Sequence, residues 1–211
     1  MTTPSLPFPM PLAEKYRPRA IGEFVGLDRP KRILSKFVGS PYPSAWLFVG
    51  PPGTGKTTMA LALAETLRAE LHLIPSQQCN LANVEDAIRL CWYVPASGGF
   101  HLVLVDEADR MSSAAQLHFL SKLDATAFPP QTIFVFTCNA TDGLEPRFLS
   151  RTRQIEFSSY GMASDAARLL ESIWQRESNG AAAPNFARIV KDSANNVRDA
   201  LMFLETELLA V

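Results

Sequence analysis

The chain is short of the residues that would mark it as secreted, metal-bound or membrane-embedded. Among its 211 residues are three cysteines, Cys79, Cys91 and Cys138, widely spaced and without a Cys-x-x-Cys pair. An odd, scattered set suits buried thiols in a reducing cytosol rather than disulfides or zinc. His72, His101 and His118 lie among apolar neighbours without metal-binding spacing, and read as core or surface side chains. Charge of one sign is missing too: 20 Lys and Arg face 21 Asp and Glu, for a formal net charge of −1. Any nucleic-acid contact must therefore come from a local patch. No apolar stretch reaches membrane-spanning length, and the proline-rich start, with Pro4, Pro7, Pro9 and Pro11, has no basic region followed by an apolar run. A cytoplasmic protein with an extended arm over residues 1–12, and no membrane partner, is expected.

What is present begins with Gly50-Pro51-Pro52-Gly53-Thr54-Gly55-Lys56-Thr57, a GxxxxGK[ST] phosphate loop. Ala45-Trp46-Leu47-Phe48-Val49 before it reads as a buried parallel strand. The stretch after it, from Lys56 to Glu70, reads as a helix, because Met59, Leu63 and Leu67 recur at four-residue spacing beside Ala60 and Ala64. Strand, loop and helix thus stand in the order that lets backbone N–H groups and a helix N-terminus face phosphate. Lys56 is expected to reach the terminal phosphates, with Thr57 holding Mg²⁺ through its hydroxyl and Thr58 continuing the binding turn.

Further strands are expected at Leu71–Ile74, Leu102–Val105, Thr132–Thr137 and Gln154–Phe157, with helices between most of them. One should follow a cap at Asp28, one a cap at Asn83 with Val84, Ala87, Ile88 and Cys91 inward, and one should run from Ser113 to Leu123 with Leu117, Leu120 and Leu123 inward. Alternating strands and helices imply an α/β fold with a parallel sheet over residues 13–158. Amphipathic stretches at Asp165–Arg176, Phe186–Val190 and Asn196–Leu209 then suggest a helical lid over residues 159–211. Trp46, Trp92 and Trp174 read as core.

The strand His101–Val105 runs into Asp106-Glu107-Ala108-Asp109, at the sheet edge where open α/β folds bind ligands. Asp106 suits Mg²⁺, and Glu107 suits polarising the water that attacks the γ-phosphate. An acidic pair at this point also suits capping of the next helix.

Together, Gly50 to Thr57 and Asp106 to Asp109 resemble an AAA+ ATPase with P-loop fold. Glu14-Lys15-Tyr16-Arg17-Pro18 with Phe24-Val25-Gly26 resembles the N-terminal box of clamp-loader subunits, of which the small subunits of replication factor C are most similar. The resemblance implies that Arg17 and Val25 lie on the adenine side of ATP. It implies that Asn139 is a sensor for the attacking water or γ-phosphate, although Asn139 also suits an Asx turn before Thr141-Asp142-Gly143. Leu149-Ser150-Arg151-Thr152 resembles the motif whose arginine reaches a neighbouring subunit's ATP, with Thr152 in place of cysteine; Arg147 and Arg153 nearby make a plain surface arginine the alternative. Asn195 to Leu201 resembles the segment in which an arginine, here Arg198, binds the γ-phosphate in cis, the alternative being a helix-surface charge. The family further implies an oligomer, homomeric or heteromeric, acting in DNA replication or repair with DNA and a sliding clamp as partners. The alternatives are a protein remodeller, a DNA-motor subunit or a nucleotide-dependent binding module with little turnover. The polar stretch from Ser76 to Asn83 departs from the family's acidic, glycine-containing one, although Arg89 survives. The sequence stops shortly after the lid, without the collar domain that holds clamp-loader pentamers together, so the family's assembly mode does not simply carry over.

Overall fold

Five parallel strands organise the larger part of the molecule: β1 (Ser44–Val49), β2 (Glu70–Ile74), β3 (His101–Val105), β4 (Thr132–Cys138) and β5 (Arg153–Glu156). Their spatial order is β2-β3-β4-β1-β5. This computed structural model describes residues 10–75, 79–96 and 98–210. Every residue of β3 and β4 is buried, whereas the edge strand β2 alternates. Continuous apolar runs therefore occupy the centre, where helices cover both faces. The expected α/β class and strand positions hold.

Helices α2 (Asp28–Val38), α3 (Lys56–Leu67), α4 (Leu81–Leu90), α5 (Ser113–Lys122) and α6 (Pro146–Leu149) complete this unit, which spans Pro18–Ser159. Phe119 meets Phe134 and Phe136 edge-on at 5.9 and 5.0 Å, and Phe136 meets Phe148 at 4.8 Å. All four rings are fully buried, each contributing about 1.5–3 kcal/mol through removal from water. This cluster fixes α5 and α6 against β4.

Several local expectations are corrected. Helix α3 ends at Leu67 rather than Glu70, because Arg68 turns left-handed with φ of 50° and hands its amide to the last turn. The cap of α4 is Asn80, whose side chain accepts from the Asn83 backbone N–H at 3.0 Å, so Asn83 lies within the first turn. Asp28 is the first helical residue of α2, after a left-handed Leu27, and makes no cap bond. Leu117 is 63% exposed, since Ala115 and Phe119 form the buried face of α5, and Trp92 is 52% exposed in the turn beyond α4.

A second unit joins the segment up to Arg17 with the chain from Tyr160 onward. It contains α1 (Leu12–Lys15), α7 (Ala163–Glu177), α8 (Phe186–Asp192) and α9 (Val197–Leu209). Lys15 Nζ donates to the Glu177 carboxylate at 2.6 Å, Tyr16 donates its hydroxyl proton to the same group, and the Leu12 N–H reaches Glu205 at 3.3 Å. These bonds draw the proline-bounded segment onto the helices. Residues 13–17, expected with the sheet, belong here, and residues 1–9 of the expected arm lie outside the described residues. Among the described residues, no helix is long and apolar enough to cross a membrane.

Candidate active site

The carboxyl ends of β1, β3 and β4 carry the phosphate loop, Asp106 and Asn139 respectively, and the sheet order sets these strands side by side. Gly50 leaves β1 where a Cβ would lie 2.0 Å from the carbonyl oxygen of Phe157, so the backbone just beyond β5 admits glycine alone. Gly55, with φ of 88°, turns the loop into α3, and its bare Cα faces the Phe24 ring, 3.2 Å from where a Cβ would sit. Phe24 thereby brings the half-buried Val25 segment beside the loop. Pro51, Pro52, Gly53 and Thr54 form the outer turn, closed by the Thr54 hydroxyl donating to the Pro51 carbonyl at 2.8 Å.

Lys56 is only 8% exposed, and its ammonium donates to Gly50 O at 2.6 Å, Pro51 O at 2.8 Å and Asn139 Oδ1 at 3.0 Å. A buried ammonium demands such oxygens. These contacts aim the charge into the loop and bring Asn139 beside it. Thr57 Oγ1 donates to Asp106 Oδ1 at 2.6 Å, joining the two residues expected at Mg²⁺. A hydroxyl and a carboxylate this close are hard oxygen donors suited to a small divalent cation that also keeps substrate phosphate and water. The donor set fits the ion. Thr58 follows on the half-buried side of α3.

Thr137, a buried residue of β4, holds both acidic positions. Its hydroxyl donates to Asp106 Oδ1 at 2.6 Å and accepts the Glu107 backbone N–H at 3.1 Å. Glu107 is left-handed at φ of 51°, and its carboxylate pairs with Arg110 at 3.3 Å. Gln116 was missed as well: 6% exposed, it donates to Gly143 O at 2.9 Å and accepts from Glu145 N at 3.1 Å. It thus ties the segment after Asn139 to α6. A polar residue at a buried position of an apolar element, strand β4 for Thr137 and helix α5 for Gln116, was the available signal. Asp109 Oδ1 is buried without a hydrogen-bond partner among the described residues. Burial foremost, then the Asp109 charge, pushes the Cys138 thiol up to about 11.

Beyond the crevice, Arg151 follows α6 with its guanidinium donating to Arg147 O at 3.2 Å and 3.6 Å from Asp124. In the helical unit, Arg198 is exposed in the first turn of α9, whose N-terminus is capped by Asn196. Arg17 pairs with Glu14 at 3.3 Å.

Residues 46–160 match the model of the ATPase family associated with various cellular activities, AAA. The chain belongs to this family. Its AAA region contains the crevice residues from Gly50 to Asn139 and, beyond them, Arg151. The chain is similar to replication factor C small subunit 2 of Pyrobaculum aerophilum, 37% identical over 164 residues, covering 74% of this chain and 51% of that protein. It is also similar to replication factor C subunit 3 of Blastobotrys adeninivorans, 32% identical over 205 residues, covering 93% and 60%. Subunit 4 of human replication factor C is 29% identical over 215 residues, covering 94% and 58%. The chain thus spans about half to three fifths of the length of these relatives. In architecture it resembles the RuvB Holliday junction branch migration motor of Thermotoga maritima, with a TM-score of 0.74, 20% identity, and coverage of 90% of this chain and 64% of that one. That likeness supports the P-loop α/β fold.

Proposed function

We propose that the chain binds and hydrolyses ATP as an AAA+ subunit of clamp-loader type, acting within an oligomer on DNA. The observation that carries this reading is the convergence of Lys56, Thr57, Asp106 and Asn139 at adjoining strand ends. Lys56 exchanges backbone carbonyls for phosphate oxygens, and the loop amides with the α3 terminus share the remaining negative charge. Thr57 and Asp106 hold Mg²⁺, which supplies charge neutralisation on the β- and γ-phosphates when bound. Glu107 orients the attacking water, and Asn139 registers its position. Arg151 serves the ATP of a neighbouring subunit, and Arg198 is assigned to the γ-phosphate on its motif. Arg17 and Val25 are assigned to the adenine side on theirs.

The replication factor C relatives support replication as the setting; repair as an alternative setting, with DNA and a sliding clamp as partners, is what the clamp-loader resemblance implies. A second reading, a nucleotide-dependent switch with little turnover, is favoured by the Glu107–Arg110 pair, which holds the water-polarising carboxylate. Titration with fluorescent ATP and a phosphate-release assay separate the two. Lys56→Ala should abolish binding, whereas Glu107→Gln should keep it and reduce hydrolysis by about a hundredfold or more, the scale of a lost base in phosphoryl transfer. Equal ATP affinity of wild type and Lys56→Ala would overturn the site. Unaltered slow turnover in Glu107→Gln would favour the switch.

A further inference from the structure

The opposite end of the sheet holds a group of side chains that the nucleotide chemistry does not use. Strands β2 and β3 pair in parallel, with Glu70 opposite His101 and His72 opposite Val103. Glu70 and His72 are two apart and share a face of β2, which places both beside His101. Helix α4 ends over the same face at Cys91. The ligand atoms of His72, Cys91 and His101 all lie within 4.8 Å of one another. Sequence spacing concealed this trio, because register and a helix end create it.

The hydrogen bonds fix which atoms face inward. His101, 2% exposed, contacts the Tyr93 carbonyl through Nε2 at 3.0 Å. A carbonyl cannot donate, so Nε2 carries the proton and the Nδ1 lone pair points the other way. There it meets His72 Nε2 at 2.9 Å, and the buried Cys91 completes the triangle. A histidine whose outer N–H is held by a backbone carbonyl, with its other nitrogen directed at further soft donors, is the usual supporting arrangement of a metal ligand. Tetrahedral zinc separates two nitrogen ligands by about 3.3 Å and nitrogen from sulfur by about 3.6 Å, given bonds of about 2.0–2.1 and 2.3 Å. The imidazoles need to part by a few tenths of an ångström, and the sulfur needs to close by at most about one. Glu70 Oε2 lies 3.9 Å from His101 Nδ1 and is steadied by the Ala96 N–H at 2.7 Å.

We propose that His72 Nε2, His101 Nδ1 and Cys91 Sγ bind a divalent transition-metal ion, Zn²⁺ foremost, with the Glu70 carboxylate as fourth ligand. On binding, the Cys91 thiol releases its proton to solvent and His72 moves its ring proton to Nδ1, freeing the Nε2 lone pair. Thiolate and carboxylate then cancel the dication, leaving a neutral centre beside the core. Two imidazoles with one thiolate suit zinc or cobalt rather than magnesium or calcium. The ion would staple the edge strand β2 to β3 and to the end of α4. Its distance along β3 from Asp106 gives it a structural task rather than a catalytic one.

Chelator-treated chain titrated with Co²⁺ tests the assignment. One equivalent should produce a thiolate-to-metal charge-transfer band and tetrahedral visible bands, which Zn²⁺ then abolishes. Cys91→Ser should remove the charge-transfer band, while Cys79→Ser and Cys138→Ser keep it. His72→Gln, altering a half-buried ring at the sheet edge, should weaken Co²⁺ binding by at least about tenfold. Zn²⁺ should raise the melting temperature of wild type and leave that of Cys91→Ser unmoved. Absence of the charge-transfer band in folded wild-type chain with excess Co²⁺ would overturn the proposal without any variant. So would bands of unchanged strength and affinity in both Cys91→Ser and His72→Gln.

Discussion

Replacing Thr137 by valine tests whether one hydroxyl organises the acidic edge of the crevice. Valine matches threonine in shape, so the change removes an oxygen while leaving the volume of β4 almost intact. Thr137 is 1% exposed, and its oxygen serves Asp106 at 2.6 Å and the Glu107 N–H at 3.1 Å. A hydrogen bond to a charged acceptor contributes about 1.5–3 kcal/mol, and a buried amide left without an acceptor costs about 1–3 kcal/mol. Both bonds share one oxygen and do not add fully, so the expected loss is about 3 kcal/mol. At about 2–4 °C per kcal/mol for a chain of this size, the melting temperature should fall by roughly 6–12 °C. Hydrolysis should fall as well, because Asp106 loses one of its two hydroxyl donors and Glu107 its backbone anchor. Thr137→Ser, which keeps the oxygen, should recover most of both. Differential scanning calorimetry and a phosphate-release assay on the three proteins suffice. A Thr137→Val protein that melts within about 1 °C of wild type, in a range where 1 kcal/mol moves it further, would show that this hydroxyl does not hold the acidic edge.

Other outcomes follow from the same geometry. Arg151→Ala should leave ATP affinity unchanged and reduce hydrolysis by about a thousandfold at concentrations where subunits associate, the scale of an arginine supplied in trans; activity per subunit that stays flat across the association range in wild type would remove the trans assignment. DNA affinity should appear with assembly and an ATP analogue and fall steeply with salt, since a net charge of −1 leaves backbone contact to aligned patches such as the α4 terminus and Arg89. Fluorescence anisotropy that detects no binding of primer-template DNA by the assembled, nucleotide-bound protein at low salt would transfer the client from DNA to protein. Burial pushes Cys79, Cys91 and Cys138 each up to about 11, so native chain at pH 8–9 should react with iodoacetamide far more slowly than chain in urea. Because the folded state holds these protons above the pH at which unfolded thiols ionise, stability should be intact below that pH and decline as pH rises toward 11, which urea midpoints at increasing pH would record. A midpoint that holds steady over that alkaline range would contradict the burial.

The chemistry of the crevice was legible in the linear chain wherever one segment supplies it. The phosphate loop needs glycine at fixed steps between a strand and a helix, and Gly50 to Thr57 sits between an apolar run and an amphipathic one, so backbone geometry and sequence carry the same information. The buried strands β3 and β4 were equally plain, because a strand covered on both faces can contain little but apolar residues. Helix starts were less so: Asn80 and Asn83 are both capable caps, and the choice between them depended on where Val84 and Ile88 met the core. The attachment of Lys15 and Tyr16 to Glu177 was hidden, since a local motif does not reveal a partner 162 and 161 residues away respectively. Thr137 and Gln116 acquire their roles from strand ends and loops brought alongside them, and His72, Cys91 and His101 meet through a parallel register and a helix end. Residues close in sequence determine which backbone turns and ligand types are available. Which distant side chains share one buried space is decided when the sheet order is set, because packing, rather than any local preference, selects that order.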